Sequence, residues 1–203
     1  MYSVITKIMT LPGIILGLSL HEFAHAWMSD KLGDPTPQRQ GRLTINPIAH
    51  IDPIGFIALL IFGFGWGKPV MIDPGYYRKP RRDEFLVAIA GVTMNLIVAI
   101  VLSFPTRWLM YNAGSSDLMS IVFYIFYYAV VINLGLMIFN LIPVPPLDGW
   151  NIITQIFDIQ KYSWWRYVYQ YGQWVLIVLI CLNVTDIIIS PVIQFFLKLL
   201  QLA

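Results

Sequence analysis

The sequence predicts an all-α polytopic membrane protein with about four to five transmembrane helices, a re-entrant or β-hairpin element and a candidate C-terminal interfacial helix. Three observations carry this expectation. Hydrophobic residues make up 58% of the 203 and charged residues only 12%, about half the charged share of a soluble domain. Charge-free runs occupy residues 8–20, 85–106 and 118–147, and the last two are long enough to cross a hydrocarbon core of about 30 Å. The Lys and Arg residues gather between these runs, as loops on the cytoplasmic side of a membrane require. The aromatic share of 15% suits belts at the two interfaces. A net charge of +2 gives no ground for a nucleic-acid partner, and the single Cys181 rules out an internal disulfide.

In chain order, the first helix is expected over residues 4–28, with Pro12 and Gly13 bending it. The basic residues Lys31, Arg39 and Arg42 follow, which puts that end of the helix in the cytoplasm. Residues 33–53 are rich in Gly and Pro and read as loop, with one short strand near 43–45. The apolar stretch 54–66 is short for a span and is basic on both flanks. It is expected to re-enter, as a hairpin or a membrane-embedded sheet, rather than to cross. Residues 85–106 form a clear span, 114–117 an outer turn, and 118–141 the returning span. Pro143, Pro145 and Pro146 end that helix, and Asp148-Gly149 reads as a turn. A last span is expected over 167–185 and a short terminal helix over 187–197. The N-terminus shows no cleavable signal pattern, because the apolar run after Lys7 leads directly into the polar motif below. The whole chain, 1–203, is expected to be a single domain.

That motif is His21-Glu22-Phe23-Ala24-His25. Four residues apart on a helix, two imidazoles lie about 6 Å apart along the axis and on one face. They can hold one metal ion, while Glu22 beside them can take a proton from water without being a ligand. His and Glu occur singly in helices for many structural reasons. Here they end a charge-free helix, where three polar side chains in lipid need compensation, and a divalent cation supplies it. A zinc hydrolase site needs a third protein ligand. His50 is the better candidate by chemistry, since imidazole is the commonest metal-binding side chain. Asp148 is the better by topology: the span 118–141 returns it to the membrane face where His25 lies. Gly91 and Asn95 in the middle span read as close helix packing with an interhelical hydrogen bond.

The His-Glu-x-x-His motif in the first span, with Asn140-x-x-Pro143-x-Pro145-Pro146-Leu147-Asp148-Gly149 after a later one, resembles the site-2 protease family of intramembrane zinc metalloproteases. The stretch from Asn46 through His50 and Asp52 to Gly55 is similar to the short bacterial members without regulatory domains. The resemblance implies one Zn2+ per chain held by His21, His25 and Asp148, with Glu22 as the base. It implies a multi-pass protein of the cell membrane, an active site near the cytoplasmic face, and a transmembrane protein as substrate within the lipid bilayer. Where family members often carry Ala-Gly-Pro-x-x-Asn, this chain has Val92 in place of the Pro. Asn140, Asn95 and His50 are candidates for substrate binding or transition-state support, with packing the alternative for each. Two rival functions use the same residues: a membrane metal-binding or transport protein, and an inactive homologue that only binds membrane segments.

Overall fold

The computed structural model of the protein describes residues 4–62, 65–112, 114 and 116–203. Three long helices form its centre: α1 (Val4–Lys31), α5 (Pro80–Asn112) and α6 (Asp117–Asn140), each packed on the other two. Between α1 and α5 lie the short α2 (Thr36–Arg39), α3 (Pro47–His50) and α4 (Pro53–Phe62). After α6 come α7 (Asp148–Phe157), which packs on α5, then α8 (Trp164–Cys181) and α9 (Val184–Leu199), which packs on α6.

The ends of the long helices follow from local chemistry. Helix α5 starts at Pro80, where a missing N–H costs no intrahelical bond. Asp83 in its first turn accepts a 2.9 Å bond from the Lys79 N–H, closing the entry. Helix α6 stops at Asn140 because three prolines follow within six residues. Apolar side chains of α5 and α6, among them Val92, Ala99, Val130 and Leu134, are buried together, and Leu197 of α9 joins them. Helix α1 meets α6 through small residues: a Cβ on Gly13 would lie 2.6 Å from the Ala129 Cα, so only glycine lets the two backbones touch there.

Among the described residues two helices, α5 and α6, are long and apolar enough to cross a membrane; α8 and α9 together make a third if that bent pair is one span. Helix α1 has the length, at 28 residues, but its last turns carry the polar motif. The last span was expected to continue to 185. Instead the chain breaks after Cys181, Asn183 adopts a left-handed conformation with φ of 56°, and the two helices meet at 71°. The expected interfacial helix at the C-terminus is α9, and one of its faces is packed into the core rather than free.

The β elements expected between α1 and α5 are absent from the described residues. No strand occurs among the described residues, whose one β feature is an isolated antiparallel bridge between Ile51 and Gly67. Residues 43–45 bend because Thr44 Oγ1 and Asn46 Oδ1 capture the N–H groups of Asn46 and Ile48, each at 3.1 Å, and so start α3 at Pro47. The stretch 54–66 is likewise not a sheet. Asp52 Oδ1 accepts the Gly55 N–H at 2.8 Å, Pro53 opens α4, and the helix runs to Phe62. Both ends of the stretch meet at the Ile51–Gly67 bridge, where the Lys68 N–H also donates to His50 O at 2.8 Å. Residues 63 and 64 of this stretch, and Ser115 in the outer turn expected at 114–117, lie outside the described residues.

A buried polar knot fixes the far end of α1. Asp34 accepts from the Ser29 hydroxyl at 2.8 Å and from the N–H groups of Thr36 and Asp73 at 2.9 and 2.8 Å. Burial alone would raise its pKa; these donors override it and hold the carboxylate below its ordinary value. The Tyr77 hydroxyl donates to Ser29 Oγ at 2.7 Å, and burial pushes its pKa up to about 12. The knot ties residues 73–77 to α1, and so sets the path of the loop that covers the motif.

Candidate metal centre

His21 and His25 lie on one face of α1, with Asp148 on the first turn of α7 opposite them. The two Nε2 atoms are 3.0 Å apart, and Asp148 Oδ2 is 3.3 Å from each. Three potential ligand atoms, one from each residue, thus fall within 4.8 Å of one another. Neighbours fix the ring tautomers. His25 Nδ1 lies 2.8 Å from the Val87 carbonyl, which can only accept, so Nδ1 carries the proton. His21 Nδ1 lies 2.7 Å from Asn95 Oδ1. That amide is oriented in turn, because its Nδ2 donates to Gly17 O and to Asn133 Oδ1, each at 3.1 Å. Asn133 is held by a 2.8 Å bond from its own Nδ2 to Ala129 O. In its neutral form each imidazole therefore turns an Nε2 lone pair toward the same point as a carboxylate oxygen.

Three acceptors converging in a buried space repel one another unless something positive lies between them. Asp148 Oδ2 is buried with no hydrogen-bond partner among the described residues. The donor set of two neutral imidazoles and one carboxylate suits Zn2+, and each ring's other nitrogen is hydrogen-bonded as metal-ligating histidines require. Room for the pair comes from α5: a Cβ on Gly91 would lie 2.4 Å from His25 Nε2 and 2.6 Å from His21 Cε1. Expected to serve helix packing, Gly91 packs against the two rings themselves.

Glu22 points into the same cavity, and its Oε2 accepts a 2.9 Å bond from the Val70 N–H. The cavity, about 560 Å³, is lined by the His pair, Glu22, Asp148, Asn140, the 69–74 loop, Glu84, and residues of α7 and α8. Asn140 is thus at the cavity wall. One of its N–H groups is committed to Leu136 O at 2.9 Å, and its Oδ1 has no partner among the described residues.

The two remaining candidates are elsewhere. Asn95 is fully buried behind His21 and does not line the cavity, so direct substrate contact does not fit it. His50 is also fully buried, is not one of the converging ligand groups and does not line the cavity, and it donates through Nε2 to Thr44 O at 2.7 Å. Burial, helped by the Arg42 guanidinium, holds its pKa below the ordinary imidazole value. Arg42 binds the carbonyls of Ala49 and Lys68, clamping the loop that carries His50 to the loop that reaches Glu22. Sequence reasoning missed Asn133 and Val70. Asn133 could have been found, as a lone amide inside a charge-free run. The Val70 N–H left no trace in side-chain chemistry.

A family model, Peptidase family M50, matches residues 109–182, which hold α6, Asp148 and α7. The chain is 42% identical over 146 residues to "Putative zinc metalloprotease YwhC" of Bacillus subtilis, covering 70% of this chain and 66% of that one. It is 32% identical over 149 residues to "Putative zinc metalloprotease Rip2" of Mycobacterium tuberculosis, with coverages of 70% and 55%. It is 27% identical over 157 residues to "Stage IV sporulation protein FB" of Bacillus subtilis, with coverages of 72% and 50%. The matched part thus spans between half and two thirds of each of these relatives. No solved structure matches the chain.

Proposed function

Because the chain belongs to peptidase family M50, the site-2 protease family, we propose that it is a zinc-dependent endopeptidase that hydrolyses peptide bonds in or near transmembrane segments of substrate proteins. The observation that carries this reading is the convergence of His21 Nε2, His25 Nε2 and Asp148 Oδ2 on one point, with Glu22 in the same cavity. His21, His25 and Asp148 would hold one Zn2+. Bound there, the ion supplies Lewis-acid polarisation of the scissile carbonyl and lowers the pKa of water.

The chain's own residues supply the rest. Glu22 takes a proton from the attacking water, whose oxygen adds to the carbonyl carbon. The C–N bond then breaks, and Glu22 returns the proton to the leaving nitrogen. The Val70 N–H keeps the carboxylate oriented, and Asn140 Oδ1 is placed to accept a substrate backbone N–H. A helical substrate must unwind first, because its carbonyls are already hydrogen-bonded. The 67–73 segment, which has no regular secondary structure beside Glu22, offers backbone groups to the extended chain.

In this reading the whole chain, 1–203, is one intramembrane protease domain. It is a multi-pass membrane protein of four to five helices, with α1 and the bent α8–α9 pair crossing beside α5 and α6. Counted from Ile5, His21 lies about 24 Å along α1, so the centre is within the bilayer but close to the face where basic loops follow. A metal carrier would need further ligand groups along a path. Among the described residues the His21–His25–Asp148 group is the one cluster of that kind.

The test is co-expression with tagged single-span proteins, comparing wild type with Glu22→Gln. The variant should retain its zinc and fold while cleavage falls by about 10²- to 10⁴-fold. Cleavage by purified Glu22→Gln at the wild-type rate would remove Glu22 from the reaction.

A further inference from the structure

The proposed chemistry leaves one carboxylate of the cavity without a task. Glu84, on the second turn of α5, is half-buried and lines the cavity with Glu22, Asp148 and the His pair. Its one hydrogen-bond partner among the described residues is Gln155, whose Nε2 donates to Oε2 at 2.6 Å. That leaves Oε1 for a ligand. Among the described residues no Lys or Arg lines the cavity. The nearest basic residue in sequence that reaches α7, Arg81, is committed to the carbonyls of Gln155 and Ile156 at 2.5 Å each.

A carboxylate withdrawn from water and paired only with a neutral amide favours a cation. The rest of the wall suits the stem of a long basic side chain. Trp165 and Tyr169, whose rings stack on each other, line it together with the polar Asn151 and Gln160. Position adds a register. Glu84 precedes Gly91, which touches both His rings, by seven residues, or about 10 Å along the helix. An extended substrate covers that distance in about three residues. The direction is toward the Pro80 end of α5, where Lys79, Arg81 and Arg82 mark the cytoplasmic side. Transmembrane substrates carry Lys and Arg at that same flank.

We propose that Glu84 is a specificity-determining residue that receives a Lys or Arg side chain of the substrate, about three residues from the bond cut and on its cytoplasmic side. This rests on the proteolytic reading above. The competing role is structural: the Glu84–Gln155 bond would merely tie α5 to α7 and so steady Asp148.

The experiment uses the purified full chain in detergent and three synthetic peptides, each with an apolar segment of 20 residues followed by Lys-Lys, Gln-Gln or Glu-Glu. Binding is measured on Glu22→Gln, cleavage on the chain with Glu22 intact, and zinc content on every variant. The Lys-Lys peptide should bind about tenfold more tightly than Gln-Gln, which corresponds to about 1.4 kcal/mol. Glu84→Gln, which can still bond Gln155, should bring the two to near equality. Glu84→Lys should reverse the order of Lys-Lys and Glu-Glu. A Lys-Lys preference that survives Glu84→Gln overturns the proposal, as does a loss that falls equally on all three peptides. If the three peptides are cut, yet bound and cut alike, the proposal fails while the proteolytic reading stands. If none is cut but charge-dependent binding disappears with Glu84→Gln, the proteolytic reading fails and the Glu84 site stands.

Discussion

At the scale of single residues, the centre depends as much on what orients its groups as on the groups themselves. Asp148→Ala should sharply lower the zinc content of the purified protein and abolish cleavage. His50→Ala should keep most of the zinc, because its ring is engaged with Thr44 O and is outside the converging ligand group. Metal analysis of the two variants decides between them, and zinc lost from His50→Ala but kept by Asp148→Ala would reverse the assignment. Gly91→Ala tests the room behind the rings. The added methyl would overlap His25 Nε2 at 2.4 Å, and overpacking of this kind typically costs about 1–3 kcal/mol. The rings must shift, so zinc affinity should fall by at least the 10- to 100-fold typical of disturbed supporting residues. Unchanged affinity would show that the rings have another place to go. His21, Glu22 and His25 were legible in sequence because their spacing is itself the geometry of a helix face. Asn95 was legible as a polar residue in a span, but its partner His21 was not, since nothing in the chain between them states which helix faces meet.

At the scale of elements, the loop between α1 and α5 carries the sharpest expectation. Residues 51 and 67 meet in an antiparallel bridge, so whatever lies between them leaves and returns at one place. With the native Cys181 replaced by Ser, single cysteines at Gly41 and at the exposed Tyr76 should both be labelled from the cytoplasmic side of intact cells or inverted vesicles. Labelling from opposite sides would show a full crossing. The central helices were readable because a charge-free run of twenty or more residues has few other uses. The short elements were not. Helix α7 has ten residues, follows three prolines and has an amphipathic pattern, so its start looked like a turn. The break near Asn183 depends on how α9 packs against α6, a tertiary matter. The stretch 54–66 is apolar throughout, and an apolar run without periodicity does not distinguish helix from strand.

At the scale of the whole molecule, the centre links four helices: His21 and His25 from α1, Val87, Gly91 and Asn95 from α5, Asn133 from α6 and Asp148 from α7. A ligand that binds the folded state stabilises it by mass action, about 4 kcal/mol at a thousandfold excess over its dissociation constant. Stripping the protein with a strong chelator should therefore lower its thermal midpoint, and restoring zinc should recover it. A midpoint indifferent to chelation would mean that the helices hold together without the centre. The amide relay from Ala129 O through Asn133 and Asn95 to His21 carries a consequence for biosynthesis. The motif leaves the ribosome early, but the residues that aim its first imidazole come more than seventy and more than one hundred positions later. The newborn first helix thus holds a pair of histidines with no fixed aim. On the proposed reading, the three ligand groups can come together only after α6 and then Asp148 have been made.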